Sequence, residues 1–133
     1  MKEVYFLLYV NDQRRSAEFY TKVLGLDPIL DVPGITEFRL KDDTVLAVMP
    51  VASAAKLIGG RHFPESATPP SPKAEVYLVV DDPGRYHQRS LDSGATELSP
   101  MQSRKWGHRA AYSMDPDGHV LAFAEKLATG TSV

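Results

Sequence analysis

TVLAV, Thr44 to Val48, returns almost unchanged as HVLAF, His119 to Phe123, and the YFLLYVND of Tyr5 to Asp12 has its counterpart in EVYLVVDD, Glu75 to Asp82. Tyr5 aligns with Glu75 at an offset of about 70 residues and Ala47 with Ala122 at about 75, the drift being a short loop insertion. A repeat of half the chain length means that one structural unit is used twice, so each copy is read against the other.

Each copy opens on a strand. Val4, Phe6, Leu8 and Val10 alternate on one face, as do Val76, Leu78 and Val80 in the second copy, and both apolar faces are expected to pack against a helix. The opposite faces are mixed, with Tyr5, Leu7 and Tyr9 in the first copy and Glu75, Tyr77 and Val79 in the second. Asn11 or Asp12 caps a predicted helix from Gln13 to Leu24, in which Phe19 with Val23 and Tyr20 with Leu24 are i,i+4 pairs and Gly25 is the stop. In the second copy Asp81 or Asp82 is the cap, Pro83 suits the first turn, and Gly94 closes a helix whose large apolar residues are Tyr86 and Leu91.

Three short strands are predicted after each helix. In the first copy they span residues 28–32, 36–41 and 44–49, with Asp42-Asp43 turning between the last two. In the second they span 96–99, 108–114 and 119–125, with the turn DPDG at Asp115 to Gly118. Between the copies, VASAAKLIGG predicts a short helix ended by Gly59-Gly60, and FPESATPPSPK is a proline-rich connector: a lid, an exchanged arm or a plain linker. The expected organisation is one α+β domain, with a βαβββ module at 1–50, a linker at 51–73, a second βαβββ module at 74–126 and a short tail at 127–133.

A chain of 133 residues suffices for one hydrophobic core and not for two independently sized domains. The formal charge of −2 leaves no basic footprint for phosphate backbones, so nucleic acid is not an expected partner. The absence of cysteine excludes disulfides, thiolate nucleophiles and Cys-type zinc sites, and fits a reducing cytosol. The opening MKEVYFLLYVND is too short to span a bilayer and alternates like a strand. A soluble, cytoplasmic protein with no membrane partner is expected.

The duplicated βαβββ unit, with VND-x-x-x-S-x-x-FY-x-x-VLG around the first helix and W-G-x-R followed by DPDG in the second half, resembles the vicinal oxygen chelate superfamily. Glyoxalase I, bleomycin-resistance proteins and extradiol dioxygenases belong to that group. The resemblance implies that the two modules curl into a shared cup-shaped sheet enclosing a ligand or metal site. It also implies a homodimer, since relatives of this length often pair modules of different subunits, and the 51–73 linker permits such an exchange.

Metal-dependent members carry ligands on the first and last strand of each module, positions that the resemblance places at Tyr5, Ala47, Glu75 and Ala122. Alanine supplies no donor atom, and a register slip of one puts Leu46 and Leu121 there instead, so no metal and no cofactor is expected. His62, His87, His108 and His119 lack metal-ligand spacing, although His108 sits beside Trp106 at the expected rim. No nucleophile elbow occurs, and no catalytic residue is assigned.

What remains is an aromatic-walled ligand surface. Tyr5, Tyr9, Phe38, Met49, Glu75, Tyr77, Trp106 and Arg109 are the candidate ligand-binding residues, while Leu7, Val45 and Val79 read better as core filling. Buried phenols, indoles and carboxylates need polar partners, which a ligand can supply. The expected function is metal-free binding of an aromatic or cationic small molecule, as in the bleomycin-resistance branch. The alternative is a glyoxalase- or dioxygenase-type enzyme, a lyase, isomerase or oxygenase, with an unconventional site.

Overall fold

The Asp12 carboxylate accepts the Arg15 backbone N–H at 3.0 Å and starts α1 (Gln13–Leu24). Gly25 ends the helix in the left-handed conformation at φ 68°, where its N–H reaches the Thr21 carbonyl. Phe19, Tyr20, Val23 and Leu24 form the buried stripe that the i,i+4 spacing predicts. Asp82 does the same for α3 (Pro83–Asp92), accepting from the Arg85 N–H at 3.2 Å, with Pro83 in the first turn, where a missing N–H costs nothing.

A computed structural model describes residues 1–63 and 72–128 of the chain. They fall into two compact units, Met1–Ser71 and Pro72–Val133. The first contains β1 (Val4–Val10), α1, β2 (Leu30–Val32), β3 (Ile35–Lys41) and β4 (Thr44–Pro50), followed by α2 (Val51–Ile58) and a 3-10 turn at Gly60–His62. The second contains β5 (Glu75–Val79), α3, β6 (Thr96–Ser103), β7 (His108–Met114) and β8 (Val120–Lys126). Residues 64–71 of the expected linker and 129–133 of the expected tail lie outside the described residues. Among the described residues no helix is long and apolar enough to cross a membrane.

Both sheets have the same order, β1-β4-β3-β2 and β5-β8-β7-β6, with the first pair parallel and the other pairs antiparallel. The chain is thus α+β, a βαβββ unit used twice. In the first sheet Gln13 fixes which face α1 covers: its Nε2 donates to the Thr36 hydroxyl at 2.9 Å and to the Val32 carbonyl at 2.8 Å. Thr36 pairs with Val48, and Phe38 with Leu46, so all four lie on the helix side and are buried. In the second sheet the Ser90 hydroxyl of α3 donates to the His87 carbonyl at 2.7 Å and lies 3.1 Å from the Ser113 hydroxyl of β7, and the Tyr86 ring meets Phe123 at 5.4 Å. His87 of α3 joins Glu97 of β6 at 2.8 Å on that same side.

Two expectations need correction. The Val4, Phe6, Leu8, Val10 face of β1 is not covered by a helix as a whole: Val10 is fully buried, whereas Phe6 is 55% exposed. The reason is position, because β1 is a sheet edge while α1 packs chiefly on β3 and β4. The strand predicted at 96–99 runs on to Ser103 through Pro100, with register shifts on either side of Ser99. An edge strand accommodates proline, which has no N–H to give to the ladder, and bulges absorb the irregularity.

The DPDG turn closes on one buried carboxylate. Asp115 is 4% exposed; its Oδ1 accepts the backbone N–H groups of Asp117 and His119, and its Oδ2 lies 2.8 Å from His119 Nδ1. Burial by itself disfavours a charged imidazole here, but the hydrogen bond and charge of Asp115, helped by the charge of Asp117, outweigh it and hold the His119 pKa above its ordinary 6.5. A folded-state pKa above the unfolded value gives stability that is complete below the unfolded value and is lost as pH rises through the folded one. We expect the melting temperature to fall as pH rises above the ordinary histidine value of 6.5 and through the raised His119 pKa, and to fall less in His119→Gln; equal falls in both proteins would contradict this reading.

Candidate ligand-binding site

Strand pairing places Tyr5, Leu7, Tyr9, Val45, Ala47 and Met49 on one face of the first sheet, opposite to α1. Tyr5 and Tyr9 are 43% and 40% exposed, and the Tyr9 ring meets Phe63 edge-on at 5.4 Å. Phe38, expected to share this surface, faces the other way: it pairs with Leu46 and is fully buried on the α1 side. It is a core residue.

The corresponding face of the second sheet holds a denser group. Ala122 of β8 lies between Tyr77 of β5 and Tyr112 of β7, and Ala124 lies between Val79 and Ala110. Both alanines are fully buried, and Ala122 is flanked by an aromatic side chain on each side. His108 of β7 is on this face too, since His108, Ala110 and Tyr112 alternate. Arg109 is therefore on the opposite face, where its guanidinium is 3.8 Å from Glu125, and it does not join the ligand surface as expected.

Trp106 precedes β7 in a turn that Gly107 makes possible at φ 85°. That turn brings the indole back over the sheet, where its N–H donates to the Tyr77 hydroxyl at 2.9 Å. The same hydroxyl lies 2.7 Å from His108 Nδ1, with the two rings 5.7 Å apart. Trp106 remains 55% exposed, so its faces stay available while its one polar atom is engaged. On the other side, Arg104 donates to the Ala110 and Pro100 carbonyls and the Ser99 hydroxyl, and stands 5.0 Å from the centre of the Tyr112 ring.

Electrostatics tie Glu75 into the group. Burial, then the charge of Glu75 and the neighbouring Tyr77, push the Tyr112 phenol above its ordinary 10.0, with Arg104 pulling the other way. Tyr112 thus keeps its proton at neutral pH and is a hydrogen-bond donor. Among the described residues, the Glu75 carboxylate, the Tyr112 hydroxyl and His108 Nε2 have no protein partner, and none of these atoms is sealed from solvent. Trp106 and Tyr77 are joined by a hydrogen bond, and Glu75 lies on the same face of β5 as Tyr77, two residues away. Sequence reasoning missed Tyr112 and Arg104, although the period-two pattern in HRAAYSM places Tyr112 on the face of His108, four residues along β7.

The residues do not fit a divalent metal site of the kind the resemblance implies. Ala47 and Ala122 have no donor atom, and among the described residues no three His, Asp or Glu side chains are grouped to hold an ion. An open cleft of about 800 Å³ beside α1 in the first unit is lined by Asp12, Arg14, Glu18, Lys22 and Asp31 and by no aromatic residue, which suits a solvated surface better than a stacked ligand.

The profile of the Glyoxalase/Bleomycin resistance protein/Dioxygenase superfamily matches residues 4–123. An uncharacterized protein of Mycobacterium bovis is 27% identical over 126 residues, which cover 90% of this chain and 80% of the relative. Among solved structures, a glyoxalase-related enzyme from Fulvimarina pelagi superposes with a TM-score of 0.77 at 23% identity, covering 95% of this chain and 89% of the other. A glyoxalase/bleomycin resistance protein/dioxygenase family enzyme from Burkholderia phytofirmans superposes with a TM-score of 0.78 at 18% identity, covering 92% and 97%. At these identities the structural likenesses establish the fold.

Core and surface roles separate by mutation. Phe38→Ala is expected to cost about 3–5 kcal/mol in urea denaturation, the usual range for emptying a packed aromatic site. Trp106→Ala, which removes a half-exposed side chain and one hydrogen bond, should cost about 1 kcal/mol. Equal, small losses for both would return Phe38 to the ligand surface.

Proposed function

Because the chain belongs to the Glyoxalase/Bleomycin resistance protein/Dioxygenase superfamily, we propose that its second module binds a flat aromatic small molecule, above all a cationic one, without a metal ion. The observation that carries this reading is the aromatic pair Tyr77 and Tyr112 on either side of the buried Ala122, with Trp106 exposed and the Glu75 carboxylate without a hydrogen-bond partner among the described residues. Offset stacking on the phenols and indole supplies attraction, which a positive charge increases through the ring quadrupoles. Glu75 adds a carboxylate beside that surface, and its partial exposure makes the charge term modest.

Calorimetric titration with N-methylacridinium and with uncharged N-methylacridone tests the reading. Glu75→Gln should weaken the cation roughly three- to fivefold and change the neutral compound little. Tyr77→Ala should weaken both by about 1–3 kcal/mol through lost stacking area. Affinities indifferent to both substitutions would refute the site.

The reading includes a homodimer. Val4 and Phe6 on one face of the edge strand β1, and Tyr5, Leu7 and Tyr9 on the other, are 36% to 55% exposed, apolar side chains at an edge that a partner can cover. A second copy of the chain is the proposed partner, consistent with the prevalence of two-fold assemblies. Sedimentation should give the dimer mass for the wild type and the monomer mass for Phe6→Glu. A wild-type monomer across micromolar concentrations would refute it.

A further inference from the structure

Resting on the ligand-site reading above, we propose that Trp106 and Tyr77 fix His108 as the neutral tautomer protonated at Nε2, and that this N–H selects aromatic cations carrying a hydrogen-bond-accepting oxygen such as a carbonyl. The indole N–H of Trp106 can only donate, and it donates to the Tyr77 oxygen at 2.9 Å. The phenol has one proton, and His108 Nδ1, at 2.7 Å, is its nearest partner.

Two arrangements satisfy that short contact. If Nδ1 carried the imidazole proton, the Tyr77 oxygen would accept twice and its own O–H would have no partner among the described residues. If the phenol donates instead, every polar hydrogen of the trio except that on Nε2 is used, and the indole's donation strengthens the phenol's. The second arrangement leaves Nδ1 as the acceptor and puts the imidazole proton on Nε2.

That Nε2 has no protein partner among the described residues and is not sealed from solvent. It sits on the face that carries Glu75 and Tyr112. The register sets Glu75 opposite Val120 and His108 opposite Lys126, so the carboxylate lies toward the other end of β8 from the imidazole. Around His108 the site therefore offers a fixed donor at Nε2 beside the exposed Trp106 indole. A planar cation stacked on the indole leaves the imidazole N–H with water. One that also bears a carbonyl oxygen satisfies both, and discrimination by such a polar group comes from leaving the site's donor unpaired in the wrong ligand.

Two measurements decide this. Long-range ¹⁵N–¹H correlation spectra of the ligand-free protein, at a pH where the imidazole is neutral and with His108 assigned by loss of its signals in His108→Phe, should show Nε2 protonated and Nδ1 unprotonated. Tyr77→Phe should mix the two tautomers. Calorimetry should show 1-methylquinolinium-3-carboxamide binding the wild type roughly fivefold more tightly than 1-methylquinolinium, with the ratio falling toward one in His108→Phe. A wild-type His108 protonated at Nδ1 overturns the proposal, as does a ratio of one in the wild type with both probes bound. Binding of neither probe overturns the ligand-site reading itself, and this inference with it.

Discussion

Ala122 is held between Tyr77 on one side and Tyr112 on the other by two ladders of backbone hydrogen bonds, one parallel and one antiparallel. That register is the constraint on which the candidate site depends. Side chains alternate across a strand, so a slip of one residue in β8 would put Leu121 and Phe123 in place of the buried Ala122 and Ala124 and expose the core under α3. Leu121 and Phe123 are almost fully buried on the helix side, and moving them into water would cost about 1.5–3 kcal/mol each. Burial on one face thus fixes the chemistry offered on the other.

The two modules use the same scaffold differently. In each, an aspartate cap starts a short helix that covers one face of the sheet, and the opposite face is buried at its central strand and carries partly exposed aromatic residues beside it. The first sheet displays Tyr5, Leu7 and Tyr9 there, a mainly apolar surface. The second displays Glu75, Tyr77, Tyr112 and His108, where a phenol between an indole and an imidazole forms a directional chain. One backbone plan thus carries a mainly apolar set at the i, i+2 positions of the first copy and a polar aromatic set at those of the second.

Much of the fold was legible in the sequence because its signals are local. The caps at Asp12 and Asp82, the stop at Gly25 and the DPDG turn each depend on a few consecutive residues, and each is found where those residues predict it. The alanines at positions 47 and 122 were equally plain, since the lack of a donor atom at a position needs no geometry to establish it. The proline in β6 misled because proline usually ends a strand, and only the edge position of β6 shows why it does not.

The sequence by itself determined the repeated βαβββ plan, the helix limits and the chemical inventory of each strand, all consequences of short-range propensity and period-two or period-3.6 patterning. The tertiary structure alone decided which face each side chain joins: it turned Phe38 into the core, turned Arg109 toward Glu125, and left Phe6 exposed on an edge. It also brought Trp106, from a turn with no strand parity, onto the Tyr77 hydroxyl. Pairing partners lie tens of residues apart, and their register is set by how long-range packing satisfies hydrogen bonds and buries apolar area together, which no local stretch of the chain encodes.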